Sequence, residues 1–266
     1  MSEPSLPAPA IFVHTSEPVA LNSYLIIGTE RAVIIDTGAG PAQAAGILDA
    51  FTAVLAQHSD AGRGTELPIV AVNTHDHWDH FFGNAHFAAC GVEEFFGSPA
   101  FARDQSGSAW LQFHAVPLEA EPHLPADPSE LAVEVTALAD GAVLDIGSWQ
   151  LHAYEMPGHT DTDLVLACAD VVFTGDLVEE GAPPQAGDDA TPSRWAAGLR
   201  ELAALPGAEV FAPGHGQPVD AGFVRRQAED IAVLAADPDH ELTALSAEPF
   251  AFAESPGLPA GVRRLR

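Results

Sequence analysis

The chain has 266 residues, with 38 acidic side chains against ten arginines and no lysine, giving a formal net charge of −28. A field of that sign repels nucleic acid and anionic lipid, which argues against both as partners. Hydrophobic residues make up 47% of the chain, enough for a sizeable core, and no stretch approaches the roughly 20 consecutive apolar residues that cross a bilayer.

The start, "MSEPSLPAPA", has neither a basic region nor a continuous apolar core. It does not read as a signal peptide, and a cytoplasmic location is expected. After this Pro-rich leader, "NSYLIIG" and "AVIID" are short β-branched runs separated by "TER", a hairpin signal. "TGAGPAQAAGILDAFTAVLAQ" turns to helical spacing. "LPIVAVNT" is a continuous apolar run of the kind that forms a buried strand, and it leads directly into "HDHWDHFFGN". Residues 98–130 are less regular and suit either a lid over a site or a variable surface connection.

The pattern then repeats: "TDLVLACADVVFTGD" is two apolar runs, "TPSRWAAGLRELAAL" is helical, and "AEVFAPGHG" is a strand ending in a His-bearing turn. Asp36 in "IIDTG" and Asp176 in "FTGD" fall at comparable places. The order suggests a duplicated unit containing a βαβ crossover, hence an α/β fold with two sheets face to face, helices outside, and a site where the halves meet. "AGFVRRQAEDIAVLA" reads as a further amphipathic helix. Residues 1–220 are expected to form one domain, with residues 221–266 as a C-terminal helix and tail packed on it or extending it. Cys90 and Cys168, alone in apolar surroundings, read as buried free thiols.

The stretch from His75 to His80 holds three histidines and two aspartates in six positions. On an extended strand exit, residues two apart point the same way, so His75, His77 and Asp79 share a side while His80 diverges. Neutral imidazoles and carboxylates are ligands for Zn²⁺. The stretch cannot complete a site alone, and further candidates stand at strand exits or Pro-Gly turns: His159 in "MPGHTDTD", Asp176 in "FTGDL" and His215 in "FAPGHGQ". Asp76 points away from its neighbours in an extended segment and suits backbone support. Asp161 and Asp163 suit capping of the turn after His159. Trp78 suits the core or the pocket wall. His14, His58, His86, His114, His123 and His152 lack such contexts and read as packing or surface residues.

The HxHxDH motif His75–His80, with Asp36, His159, Asp176 and His215 in order, resembles the metallo-β-lactamase fold superfamily of metal-dependent hydrolases over about residues 20–220. The resemblance implies a four-layer αββα sandwich. It also implies a dinuclear centre: His75, His77 and His159 on the first metal, Asp79, His80 and His215 on the second, and Asp176 bridging. Asp36 is implied to orient a ligand histidine, in keeping with the general need of a metal-bound imidazole for a partner at its other nitrogen. The cofactor is then two Zn²⁺ per chain, a donor set that Fe or Mn also suits. Such a centre cleaves an ester, thioester, lactone or amide bond of a small molecule by metal-bound hydroxide, with Asp79 as the catalytic residue that orients the nucleophile.

Asp at position 176, where one β-lactamase subclass uses a thiolate, makes the pattern closer to glyoxalase II and lactonase relatives. The scarcity of basic residues weighs against glyoxalase II itself. The alternative is an iron-dependent oxidoreductase on the same fold, similar to persulfide dioxygenases, whose second metal site is generally incomplete. Residues that contact substrate are not marked by any motif.

Overall fold

The computed structural model describes residues 8–58, 67–117 and 119–266. Ala10–Ser16 (β1), Leu21–Ile27 (β2) and Ala32–Ile35 (β3) form an antiparallel meander. Helix α1 (Pro41–His58) then crosses to Ile69–Val72 (β4), which lies parallel to β3. Glu94–Gly97 (β5) and Thr136–Ala137 (β6) extend this half in parallel. The segment between β4 and β6 folds into α2 (Trp78–Phe81), α3 (Asn84–Ala89), α4 (Pro99–Arg103) and α5 (Gln105–Gln112).

The second half runs antiparallel through Val143–Asp145 (β7), Gln150–Glu155 (β8), Leu164–Cys168 (β9) and Val171–Glu179 (β10). Helix α6 (Pro192–Leu202) crosses to Val210–His215 (β11), parallel to β10. Helix α7 (Ala221–Ala236) follows, and Val262–Arg264 (β12) returns to pair with β1. Each half thus contains an antiparallel hairpin followed by a βαβ crossover, in the order read from the sequence.

The layers follow from strand parity. On each strand, alternate residues face opposite sides. Val33, Ile35, Val70 and Val72 of the first half meet Leu164, Leu166, Phe173 and Ala212 of the second in a core between the two sheet halves. Their neighbours Ala32, Ile34 and Ala71 face outward onto Ile47, Phe51 and Val54 of α1. In the second half Val165, Val172 and Phe211 face Trp195 and Leu199 of α6 and Phe223, Val224 and Ile231 of α7. Helix, sheet, sheet, helix is the four-layer α/β sandwich expected. The two sheet halves are continuous as one curled twelve-stranded sheet, and among the described residues the strand ladders of the halves meet at a single pair, His215 of β11 with Leu21 of β2.

Two features depart from the sequence reading, and a third adds to it. Strands β1 and β12 were hidden because one lies beside the Pro-rich leader and the other is three residues long. Cys168 is buried, but Cys90 is exposed: it follows the last turn of α3, where Phe87 takes the inward position instead. Residues 98–130 are anchored from within, since the fully buried Glu121 accepts from the backbone N–H groups of Ala42 and Gln43 in the first turn of α1, at 2.9 and 3.2 Å. A carboxylate there satisfies orphan donors and suits the positive end of the helix dipole. Among the described residues no helix is long and apolar enough to cross a membrane.

Candidate metal centre

Parallel strands β3, β4, β10 and β11 bring their carboxyl ends to one edge, and the seven candidate ligands converge there. The chain that leaves β4 bends at His75, is extended at His77 and turns helical at Trp78. That turn corrects the two-residue alternation expected for the motif. Asp79 swings away from His75 and His77 and joins His80 and His215 in one group, while His75, His77, His159 and Asp176 form another. Within each group the potential ligand atoms lie within 4.8 Å of one another.

Asp176 Oδ2 stands between the groups, 3.9 Å from His75 Nε2 and 4.0 Å from His159 Nε2 on one side. On the other it lies 3.3 Å from His80 Nε2 and 3.6 Å from His215 Nε2. Asp79 Oδ2 is 3.2 Å from His215 Nε2 and 3.8 Å from His80 Nε2. The close approach depends on Gly214, where any Cβ would collide with the Asp176 carboxylate and the His80 ring.

The supporting groups explain why the cluster holds together. Asp36, with φ of 60°, takes a left-handed conformation that Asp tolerates better than most residues. Its Oδ1 accepts from the Thr74 N–H at 2.8 Å, and its Oδ2 from the Thr74 hydroxyl at 2.8 Å and His80 Nδ1 at 2.9 Å. The His80 carbonyl accepts from the Thr37 N–H and from Asn73 Nδ2, both at 2.9 Å. Asn84 completes this brace through Asn73 and Thr37. Asp163 caps the turn that presents His159, accepting from the N–H groups of Gly158 and Thr160 at 2.9 and 2.8 Å. Asp76 accepts from Thr162 in the second half at 2.7 Å and from Ser108 of α5 at 2.6 Å. Asn22 Nδ2 donates to the Gly216 carbonyl at 2.6 Å and so steadies the turn after His215. Trp195 sets its ring edge-on to His159, 5.3 Å between centroids.

Sequence reading did not find Asn22, Thr37, Asn73, Asn84 or Asp189. The first four resemble ordinary strand and turn residues. Asp189, whose Oδ2 lies 3.0 Å from His77 Nε2, sits in "QAGDDA", which looks like a solvated loop. His14, His58, His86, His114, His123 and His152 are in neither ligand group. Trp78 packs partly buried against the core beneath α1.

Electrostatics sorts the imidazoles into two kinds. Burial, reinforced by the neighbouring rings of His80 and His77, drives His75 well below its ordinary value, and burial takes His159 down to about 4. Both are neutral, the form that donates a lone pair to a metal. For His80 and His215 burial works the same way but loses to carboxylates. Asp176, Asp36 and Asp79 hold His80 well above its ordinary value, and Asp176 with Asp79 holds His215 at about 9. Burial would raise Asp176, yet the His80 and His215 rings keep it well below the usual carboxylate range. Carboxylates that draw protons this strongly draw a divalent cation by the same field. Among the described residues His75 Nε2 and His80 Nε2 are buried and without a hydrogen-bond partner, as is Asp176 Oδ1. Orphans of this kind are rare in proteins, and imidazole nitrogens converging on a carboxylate are the donor set of a divalent metal.

Fold and ligand geometry together define a protein class, and comparison with known proteins agrees. The Metallo-beta-lactamase superfamily profile matches residues 17–242, and the chain belongs to that superfamily. Among curated proteins it is similar to the human "Acyl-coenzyme A thioesterase MBLAC2", 32% identical over 168 residues. That match takes in 60% of this chain and 59% of the human protein, so the chain spans about three fifths of this relative. The fold is shared with the structure "Metallo-beta-lactamase from Pontibacter korlensis", at a TM-score of 0.62 and 21% identity, over 86% of this chain and 97% of that one. It is shared also with TTHA1623, solved in a di-iron-bound form, at a TM-score of 0.60 and 22% identity, over 80% and 96% of the two chains.

Proposed function

We propose that this protein is a hydrolase that holds two divalent cations, zinc in the first instance, and cleaves an acyl thioester or a related ester, lactone or amide of a small molecule. The observation that carries the reading is the position of Asp176 Oδ2, within 4.0 Å of imidazole nitrogens in both ligand groups. In this reading His75, His77 and His159 hold one cation, Asp79, His80 and His215 the other, and Asp176 is shared. Two cations so held supply a nucleophile at neutral pH and a Lewis acid for the carbonyl oxygen.

The chain's own residues do the rest. Asp79 is partly exposed, with its side chain 12% accessible. It faces the same side as His215 and is the group that orients an incoming water and takes up its proton. Asp36 holds the His80 ring in place. Thioesters are favoured by the curated relatives, whose names give that activity. They are favoured too by the apolar pair Trp110 and Leu111 on α5, 57% and 75% exposed, on the helix whose Ser108 is bonded to Asp76 between two ligands. A net charge of −28 opposes a polyanionic thiol carrier and lays recognition on the acyl side. Helix α7 packs in the same core as α6 and β12 pairs with β1, and on that ground we take residues 1–220 and 221–266 together as one domain.

The test is metal analysis of the purified chain, followed by hydrolysis assays on short and long acyl thioesters, lactones, β-lactams and phosphodiesters. Two cations per chain and thioester cleavage abolished by a chelator are expected. One iron per chain, no hydrolysis and oxidation of a persulfide would overturn the reading in favour of the oxidoreductase.

A further inference from the structure

We infer that Asp189 is a positioning residue that fixes His77 as a ligand through Nδ1, an inference that rests on the reading of His77 as a metal ligand. His77 is oriented differently from His80. His80 turns Nδ1 outward to Asp36, at 2.9 Å, and Nε2 inward. His77 turns Nδ1 inward, 3.1 Å from His159 Nε2, and Nε2 outward, 3.0 Å from Asp189 Oδ2. A neutral imidazole carries one N–H, and a carboxylate only accepts. Asp189 therefore holds the proton of His77 on Nε2 and leaves the Nδ1 lone pair facing the centre.

Asp189 is itself held in place. The Ala190 N–H donates to the Gly187 carbonyl at 3.1 Å, closing a turn around it, and the next N–H, from Thr191, donates to the carbonyl of Gly158 at 2.8 Å. Gly158 directly precedes His159, so the Asp189 turn and the His159 turn share one frame at the start of α6. Upstream, the Gln185 N–H donates to Glu179 Oε1 at 2.7 Å, at the end of the strand that carries Asp176. The loop between β10 and α6 is thus fastened on both sides of Asp189 to residues that flank ligands. The Asp189 side chain is 40% exposed, and its removal leaves no buried cavity. Its effect on the centre is separable from folding.

The experiment uses the full chain, stripped of metal, as wild type and as the Asp189→Ala, Asp189→Asn and His77→Ala variants. Zn²⁺ affinity is read by competition with a chromophoric chelator, the apo melting temperature by circular dichroism, and the His77 tautomer by the ring nitrogen shifts of labelled apoprotein. Loss of an outer partner of a ligand histidine costs roughly 10–100-fold in metal affinity. That loss is expected for one of two bound ions in Asp189→Ala. Most of the affinity returns in Asp189→Asn, whose amide oxygen still accepts. The apo melting temperature should hold, and at a pH where the His77 ring is neutral the Nε2-protonated tautomer should be dominant in the wild type and lost in the Ala variant. Equal affinities in wild type and Asp189→Ala, with both binding two ions and His77→Ala losing one, would overturn this inference alone. A wild-type chain that takes up no Zn²⁺ would overturn the ligand reading and this inference with it.

Discussion

Asp36 belongs to neither ligand group but holds His80 of the second, and its replacement separates support of the centre from support of the fold. Its carboxylate accepts three hydrogen bonds from fully buried donors: the Thr74 N–H, the Thr74 hydroxyl and His80 Nδ1. In Asp36→Ala the Thr74 hydroxyl can turn to His75 Nδ1, already 3.1 Å away, and accept from His80 Nδ1 at 3.4 Å, but the Thr74 N–H is stranded. A buried unpaired donor costs about 1–3 kcal/mol, and that loss is expected. That is a large part of a total stability of about 5–15 kcal/mol. Asp36→Asn should behave differently. Its oxygen still accepts from the Thr74 N–H, and the hydroxyl can rotate to accept from the new amide. His80, however, then faces a donor at Nδ1 and must carry its proton on Nε2, the nitrogen 3.3 Å from Asp176. The Asn variant should lose no more than about 2 kcal/mol of stability but roughly 10–100-fold in affinity for one of two ions. Urea unfolding of the apoproteins and chelator competition measure the two effects. An Asn variant that binds both ions like the wild type would refute the argument that Asp36 works through the His80 tautomer.

Three further outcomes follow from the same geometry. Gly214→Ala drives a methyl into the Asp176 carboxylate and the His80 ring and should remove at least one ion from the metal analysis; unchanged metal content would show that the strand end can give way. Glu121→Ala strands the buried Gln43 N–H, leaves the part-buried Ala42 N–H to solvent and should cost about 1–3 kcal/mol in urea melts, with metal affinity unchanged. Replacing Trp110 and Leu111 together with serine should raise KM for long-chain acyl thioesters while leaving acetyl thioesters alone, and an equal effect on both would remove α5 from the acyl site.

The layers were legible because both signals that set them are local. Apolar runs ending in turn residues mark β2, β3, β4, β9, β10 and β11, and helical spacing marks α1, α6 and α7. Strand parity then assigns residues such as Val33 and Ile34 to opposite cores. The seven clustered residues were legible because His and Asp at strand exits have few other uses. The finer division came only from the family resemblance, since alternation on an extended strand places Asp79 with His75, and the helical turn at Trp78 is what separates them. Asp189 left no trace in the sequence because its placement comes from a loop fastened by the backbone bond from Thr191 to Gly158, 33 residues upstream of Thr191. Cys90 was misplaced for a related reason: apolar neighbours predict a buried helix face, and a helix of six residues ends before that face reaches it.

The single ladder pair between the halves among the described residues, His215 with Leu21, gives the centre a mechanical side. Each ligand group takes side chains from both halves of the curled sheet, so a bound cation would add a tie between layers already joined by their shared apolar core and by bonds such as Leu164 N–H to the Thr74 carbonyl at 2.7 Å. An ion at a thousand times its dissociation constant contributes about 4 kcal/mol to whatever state holds it, and here that state is the docked arrangement of the halves. Cation supply would then set how often the sandwich breathes open, and amide exchange at Leu21 and along β11 should slow as the metal is added.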